Sequence, residues 1–193
     1  MSDWSEHPTL SGRHVRLEPL SPDHAKGLFE AAQDPGIWSW MSQRMPEDVA
    51  AAELMVETAL AEPGRFAWAQ IDVASGRVAG STSYYQIVAK HRILSIGHTW
   101  LGPDWQRTAL NTEAKFLLLR NAFEVLGAQR VAWETDSRNL RSQRAIERLG
   151  ALREGLLRAH RIRPDGSSRD TVLYSMTDAE WPGVHARLLA RLG

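Results

Sequence analysis

Residues Trp100–Arg120 read WLGPDWQRTALNTEAKFLLLR, and the fold turns on them. The stretch leaves an apolar strand, crosses a polar loop with no run of glycines, and enters a helix expected over about 109–126. Phe116, Leu119 and Phe123 form one stripe of that helix, Leu118, Ala122 and Val125 widen it, and Gly127 can close it. A helix start leaves about four backbone NH groups without partners and carries roughly half a positive charge. The loop QRTALNT can therefore be an anion cradle, or simply the cap of an ordinary helix.

Upstream, RHVRLEPL alternates as a half-buried strand, and SPDHAKGLFEAA and PEDVAAAELMVETALAEPG have helical spacing and stop signals. RFAWAQIDV and RVAGSTSYYQIV flank ASG as a hairpin, and RILSIGHTWL is the strand that runs into the opening stretch. Downstream come a strand in QRVAWETD, a shorter helix in SRNLRSQRAIERLG, and two strands joined by the turn PDG. A terminal helix follows in DAEWPGVHARLLARL. The order predicts an α+β domain with a mixed, mostly antiparallel sheet of about seven strands, one parallel crossover, and helices on its faces. Nothing marks a second domain, so residues 1–193 read as one unit with a loose arm at 1–9.

The 193 residues carry 23 Lys and Arg against 23 Asp and Glu, so no global field recruits nucleic acid or an anionic membrane. The basic run RSQRAIER reads as a solvated helix face. With no cysteine there are no disulfides, thiolate nucleophiles or Cys-based zinc sites, and the seven histidines lack metal-ligand spacing. No apolar run reaches the roughly 18 residues of a membrane span, and MSDWSEHP is not a signal peptide, so a cytoplasmic protein is expected. Eight tryptophans suit pocket walls as well as cores.

The element order, together with WLGPDWQRTALNTEA, NLRSQRAIERLGA, GALREG and RDTVLYSM, resembles the GNAT acyltransferases over nearly the whole chain, closest to the RimJ/RimL-type N-acetyltransferases. The resemblance implies transfer of an acetyl group from acetyl-CoA, without metal, to a primary amine. The acceptor would be a protein N-terminus or a small-molecule amine. It places acetyl-CoA on Gln106, Arg107, Thr108, Ala109, Leu110, Asn111 and Thr112, with a backbone NH near Trp100 or Leu101 on the acetyl oxygen and the Asn139 amide on the pantetheine. Ala109 and Asn111 replace the family's glycines. Backbone NH donors do not require glycine, Ala109 is nearly as small, and Asn111 tolerates left-handed geometry.

Acyl transfer needs a polarised carbonyl, a neutral amine and a proton for the departing thiolate. Ser142, one turn after Asn139, is the candidate acid, because Ile146 stands where many relatives have Tyr; both Asn139 and Ser142 can equally be helix caps. His98, expected on the strand face of Leu94, Ile96 and Trp100, is the first candidate base and His160 the second, although a lone His on an apolar face also suits a core. Trp38, Trp40, Trp68, Tyr84 and Tyr85 are the candidate acceptor-binding residues, with core packing as the other reading. Trp38 and Trp40, expected in a loop, equally suit a subunit contact of a homodimer. The missing glycines and Tyr also admit a catalytically impaired CoA-binding or partner-binding module of the same shape.

Overall fold

Antiparallel pairing dominates because most strands are joined by short hairpins or returns. The computed structural model describes residues 3–163 and 165–193. Its strands are β1 (Leu10–Ser11), β2 (Val15–Pro19), β3 (Phe66–Asp72), β4 (Val78–Val88), β5 (Ile93–Leu101), β6 (Arg130–Asp136), β7 (Leu152–Ile162) and β8 (Ser168–Thr177). The helices among the described residues are α1 (Ala25–Ala31), α2 (Pro35–Trp38), α3 (Val49–Ala61), α4 (Ala109–Arg120), α5 (Leu140–Leu149) and α6 (Trp181–Leu192). One sheet of eight strands runs in the order β1-β2-β3-β4-β5-β6-β8-β7, and only β5 and β6 pair in parallel. The eighth strand, beyond the seven or so expected, is the two-residue β1, too short for alternation to announce itself.

Helix α4 is the crossover between the parallel strands, and it lies against the face carrying Tyr84, whose hydroxyl donates to the Leu118 carbonyl. Leu118 and Leu119 are fully buried there, as are Leu94 and Ile96 of β5. Each such side chain contributes about 1.5–3 kcal/mol by leaving water. The helical pattern expected to about 126 is met by α4 and a π-turn at Asn121–Val125, after which Gly127 takes a φ of +68°. The opposite face is covered by α1 and α3, with Leu28, Val56 and Ala59 buried.

In the arm expected at 1–9, His7 and Pro8 lie against the sheet: the Trp68 indole NH donates to Pro8 O, and His7 stacks on Phe66. At the far hairpin, Gly166 (φ +82°) donates its NH to Arg163 O as the turn reading requires, while Pro164 of that turn lies outside the described residues. A buried carboxylate ties the sheet edge to α4: Glu113 accepts the backbone NH groups of Arg13, His14 and Val15 at 2.8, 2.5 and 2.9 Å. Gly12 is needed beside it, since a Cβ there would lie 2.4 Å from Glu113 Cδ.

Candidate active site

The parallel pairing of β5 with β6 is short. It covers Ile93↔Arg130, Leu94↔Val131 and Ser95↔Ala132, and there it stops. Beyond it β5 stays with β4 as far as Leu101, and β6 stays with β8 as far as Asp136. The two strands thus part, and a wedge opens between their C-terminal halves. Helix α4 starts from the loop after β5 and α5 from the loop after β6, so two helix N-termini stand at the wedge mouth. One exposed contact spans it: Arg141 Nη1 of α5 donates to Gln106 Oε1 at 3.4 Å, while Gln106 Nε2 donates to Leu101 O at 2.9 Å.

At the start of α4, Thr108 is the N-cap; its Oγ1 accepts from Leu110 N and donates to Trp105 O. The geometry of a helix start leaves the NH groups of Ala109 and Asn111 without intrahelical acceptors. The left-handed residue of this loop is Arg107 (φ +62°), not Asn111, which is helical; Arg107 is exposed. Gln106 is spent on the two strand-to-helix bonds, which leaves its backbone rather than its amide for a ligand. Two buried polar atoms lack partners beside the wedge. They are Asn111 Oδ1 and the indole Nε1 of Trp133, the first β6 residue past the last β5–β6 pair. An acceptor and a donor left bare where strands part, next to two positive helix ends, fit an elongated anionic ligand with amide groups.

Asn139 is the N-cap of α5, its Oδ1 accepting from Ser142 N at 3.0 Å. The capping reading therefore holds for Asn139, and its amide oxygen is occupied. The Ser142 hydroxyl makes no hydrogen bond among the described residues and is half-buried. Ile146 is buried in the core, so the side chain one turn on adds nothing polar.

A bulge deforms β5 above the wedge. Ser81 pairs with Trp100 but Ser83 with Gly97, so β5 has one residue more than β4 between these pairs, and His98 takes a φ of +49°. The bulge breaks the alternation that sequence reading relied on: Ile96 lies opposite Tyr84 on the α4 side, whereas His98 packs edge-on against Tyr85 at 5.1 Å. His98 is thus on the opposite face from Leu94 and Ile96. Burial first, and then Arg65, push its imidazole down to about 4, so at neutral pH it is an uncharged and weakly basic ring. His160 is exposed on β7, the sheet's edge strand, away from the wedge.

Tyr84 and Tyr85, adjacent on β4, necessarily face opposite ways. Tyr84 and Trp68 pack on each other at 4.9 Å, fully buried on the α4 side, and are core residues rather than acceptor walls. Trp38 ends α2 instead of sitting in a loop; its indole NH donates to Ala32 O, and its ring lies 5.3 Å from Trp100. Trp40 is half-buried in the turn that follows. On the α1 and α3 side a small cleft is lined by Met55, Arg65, Ser81 and Trp100. Tyr85 and His98 lie on this side of the sheet.

Sequence reading missed Lys115. It is 5 % exposed on α4, and its Nζ donates to Thr82 Oγ1 (2.8 Å) and to Thr99 Oγ1 (2.6 Å), the residue next to the bulge. Burial pulls its ammonium down to about 7. The signal was a lysine inside an apolar helix face, legible only once that face is known to be buried on every side.

The chain matches the description of an acetyltransferase (GNAT) domain over residues 14–152. A solved acetyltransferase structure from T. thermophilus, provisionally named, shares 44 % identity at a TM-score of 0.90, covering 99 % of this chain and 100 % of that one. A GCN5-related N-acetyltransferase from Brucella melitensis shares 34 % at 0.96, covering 100 % and 88 %. YdaF of Bacillus subtilis (strain 168), provisionally named a ribosomal N-acetyltransferase, is 27 % identical over 88 % of this chain and 94 % of its own. The chain therefore belongs to the GNAT acetyltransferase family.

Proposed function

We propose that the protein is an acetyl-CoA-dependent N-acetyltransferase that moves the acetyl group directly to a primary amine. The observation that carries this reading is the wedge, with two helix N-termini facing each other across the Gln106–Arg141 contact. Bound acetyl-CoA would supply an acetyl group activated as a thioester. The chain's residues supply the rest. The backbone NH groups of Ala109 and Asn111, the Thr112 hydroxyl and the charge of Arg107 suit phosphate oxygens. The bare Asn111 Oδ1 and Trp133 Nε1 suit amide groups. The unpaired side of β5 beyond Ser95, which reaches Trp100 and Leu101, offers backbone NH donors for a carbonyl oxygen. Ser142 Oγ holds a proton that no other residue described takes up, and it is our candidate acid, with Asn139 as its positioning cap.

The acceptor enters from the side of Tyr85 and His98. An N-terminal amine, with a pKa near 8, is partly neutral at pH 7, so a weak base suffices. A neutral His98 suits orienting such an amine better than deprotonating it, which leaves the proton to water. The name of YdaF favours a protein N-terminus as acceptor, and a small amine fits the same chemistry. Two measurements test the reading together. Acetyl-CoA should raise the melting temperature, by about 2.7 kcal/mol of stabilisation at 100 times Kd. Release of the CoA thiol should follow one or more members of a panel of N-terminal peptides, aminoacyl compounds and polyamines. Binding with no release from any amine would leave only the CoA-binding module; no binding at millimolar acetyl-CoA would refute both.

A further inference from the structure

The sheet face that carries Tyr85 continues without interruption across the strands beyond the wedge. Tyr85 lies opposite Ser95, Ser95 opposite Ala132 and Ala132 opposite Ser175. Residues facing each other across a ladder share a side, and strand residues two apart do so as well. Glu134 and Asp136 of β6, Thr171 and Arg169 of β8 and Arg161 of β7 therefore share the face of Tyr85. Five charged side chains are gathered here, three arginines and two acids. Arg161 bonds Glu134 at 2.7 Å, and Arg163 takes Asp136 with two bonds, at 2.7 and 3.0 Å. Of the three guanidinium groups, Arg169 is the one with no hydrogen-bonded carboxylate.

The Arg169 side chain makes no hydrogen bond among the described residues. Its Nε is buried and bare, and the nearest carboxylate oxygen, Asp136 Oδ2, is 3.9 Å away and already held by Arg163. Two residues along the same strand face, the hydroxyl of fully buried Thr171 is also without a partner. Burial first, and then Arg161, work against the charge on Arg169, while Asp136 and Glu134 favour it at a distance without hydrogen-bonding it. The registers put Arg169 on the sheet face of Tyr85, the side from which the acceptor is proposed to enter.

We infer that Arg169, with Thr171, is an anion subsite of the acceptor pocket, and that the amine acetylated carries a carboxylate close to its amino group. The inference rests on the acetyltransferase reading above and adds the class of acceptor. A guanidinium fork matches a carboxylate with two parallel bonds, and a hydroxyl adds a third donor. The carboxylate can come from the α-carboxyl of a free amino acid or from an acidic side chain near a peptide's N-terminus.

The test compares acceptors that differ in that group, each kcat/KM being taken per neutral amine because the carboxylate also raises the amine's pKa. One pair is alanine and alaninamide; the other is C-terminally amidated Ala-Asp-Phe and Ala-Asn-Phe. The wild-type protein should prefer the carboxylate member of one pair by about 10- to 100-fold in kcat/KM, and that pair identifies the source. Arg169→Met should abolish the preference, the ratio of kcat/KM within that pair falling to about 1. Because each ratio is taken within one preparation, partial unfolding of a variant cancels; should Arg169→Met not fold, Arg169→Gln carries the same comparison. Equal rates within both pairs, or a preference that survives loss of the guanidinium, would overturn the subsite and leave acetyl transfer standing. No acetylation of any amine by a protein that binds acetyl-CoA would instead remove the enzyme reading, and the inference with it.

Discussion

Replacing Lys115 with methionine should make the protein more stable, although it removes two hydrogen bonds from the interior. Lys115 Nζ is buried against Thr82 and Thr99, with no carboxylate bonded to it among the described residues. Its fall from the usual 10.5 to about 7 has burial as its cause, and corresponds to about 5 kcal/mol of penalty on the charged form. Against this, two bonds of about 1 kcal/mol each are lost. The two threonine hydroxyls keep each other as partners at 2.8 Å, so neither is stranded. The net gain expected for Lys115→Met at pH 7 is about 2–3 kcal/mol, in line with the replacement of buried charges by apolar side chains of similar shape.

The pH dependence follows from the same shift. From pH 7 to 10.5 the unfolded chain holds a proton on Lys115 that the folded chain has given up, so wild-type stability rises with pH across that window, by up to about 1.4 kcal/mol per pH step. Below pH 7 the penalty is present in full, and Lys115→Met should lack the rise altogether. Urea denaturation at pH 6, 7, 8 and 9 measures both effects. A destabilised methionine variant, or parallel pH profiles for the two proteins, would refute the reasoning and mean that the ammonium is better solvated than its surroundings suggest.

Ser142→Ala should lower kcat and kcat/KM together, by about 100-fold, with acetyl-CoA affinity unchanged, as expected for a group acting only in the transition state. Its stability should hold, whereas Asn139→Ala, which removes the cap of α5, should lose about 1 kcal/mol in urea denaturation. Arg107→Gly should gain a few tenths of a kcal/mol by relieving a positive φ, and should weaken acetyl-CoA more than a short pantetheine thioester without phosphates. Equal losses for the two ligands, by calorimetry, would mean that Arg107 does not address phosphate. Glu113→Ala strands three backbone NH groups and should cost at least about 3 kcal/mol of stability, measured in the same denaturant.

Most of the fold was legible because it is written in periodicity: the stripe of α4, the alternation of β2 and the stop signal at Gly127 are local. The site was legible where it depends on helix starts. Thr108 and Asn139 are both caps, the helix-start reading that the sequence offered at each place. What escaped depends on departures from periodicity. One extra residue in β5 moved His98 to the face opposite the one alternation assigned. Tyr84 and Tyr85 could not both line a pocket, yet which one faced the core was decided by α4 packing on one side of the sheet. Glu113, Lys115 and Arg169 take their roles from partners, or the lack of them, far along the chain, and no spacing within one element announces that.

The most direct test of the wedge is backbone amide hydrogen exchange with and without acetyl-CoA. Protection should rise at 106–112, where α4 begins, at 139–142, where α5 begins, and along β5 from 97 to 101, while the far hairpin of β7 and β8 stays unchanged. Protection elsewhere, or none at the two helix starts under saturating acetyl-CoA, would contradict the assignment of the donor site to the wedge between β5 and β6.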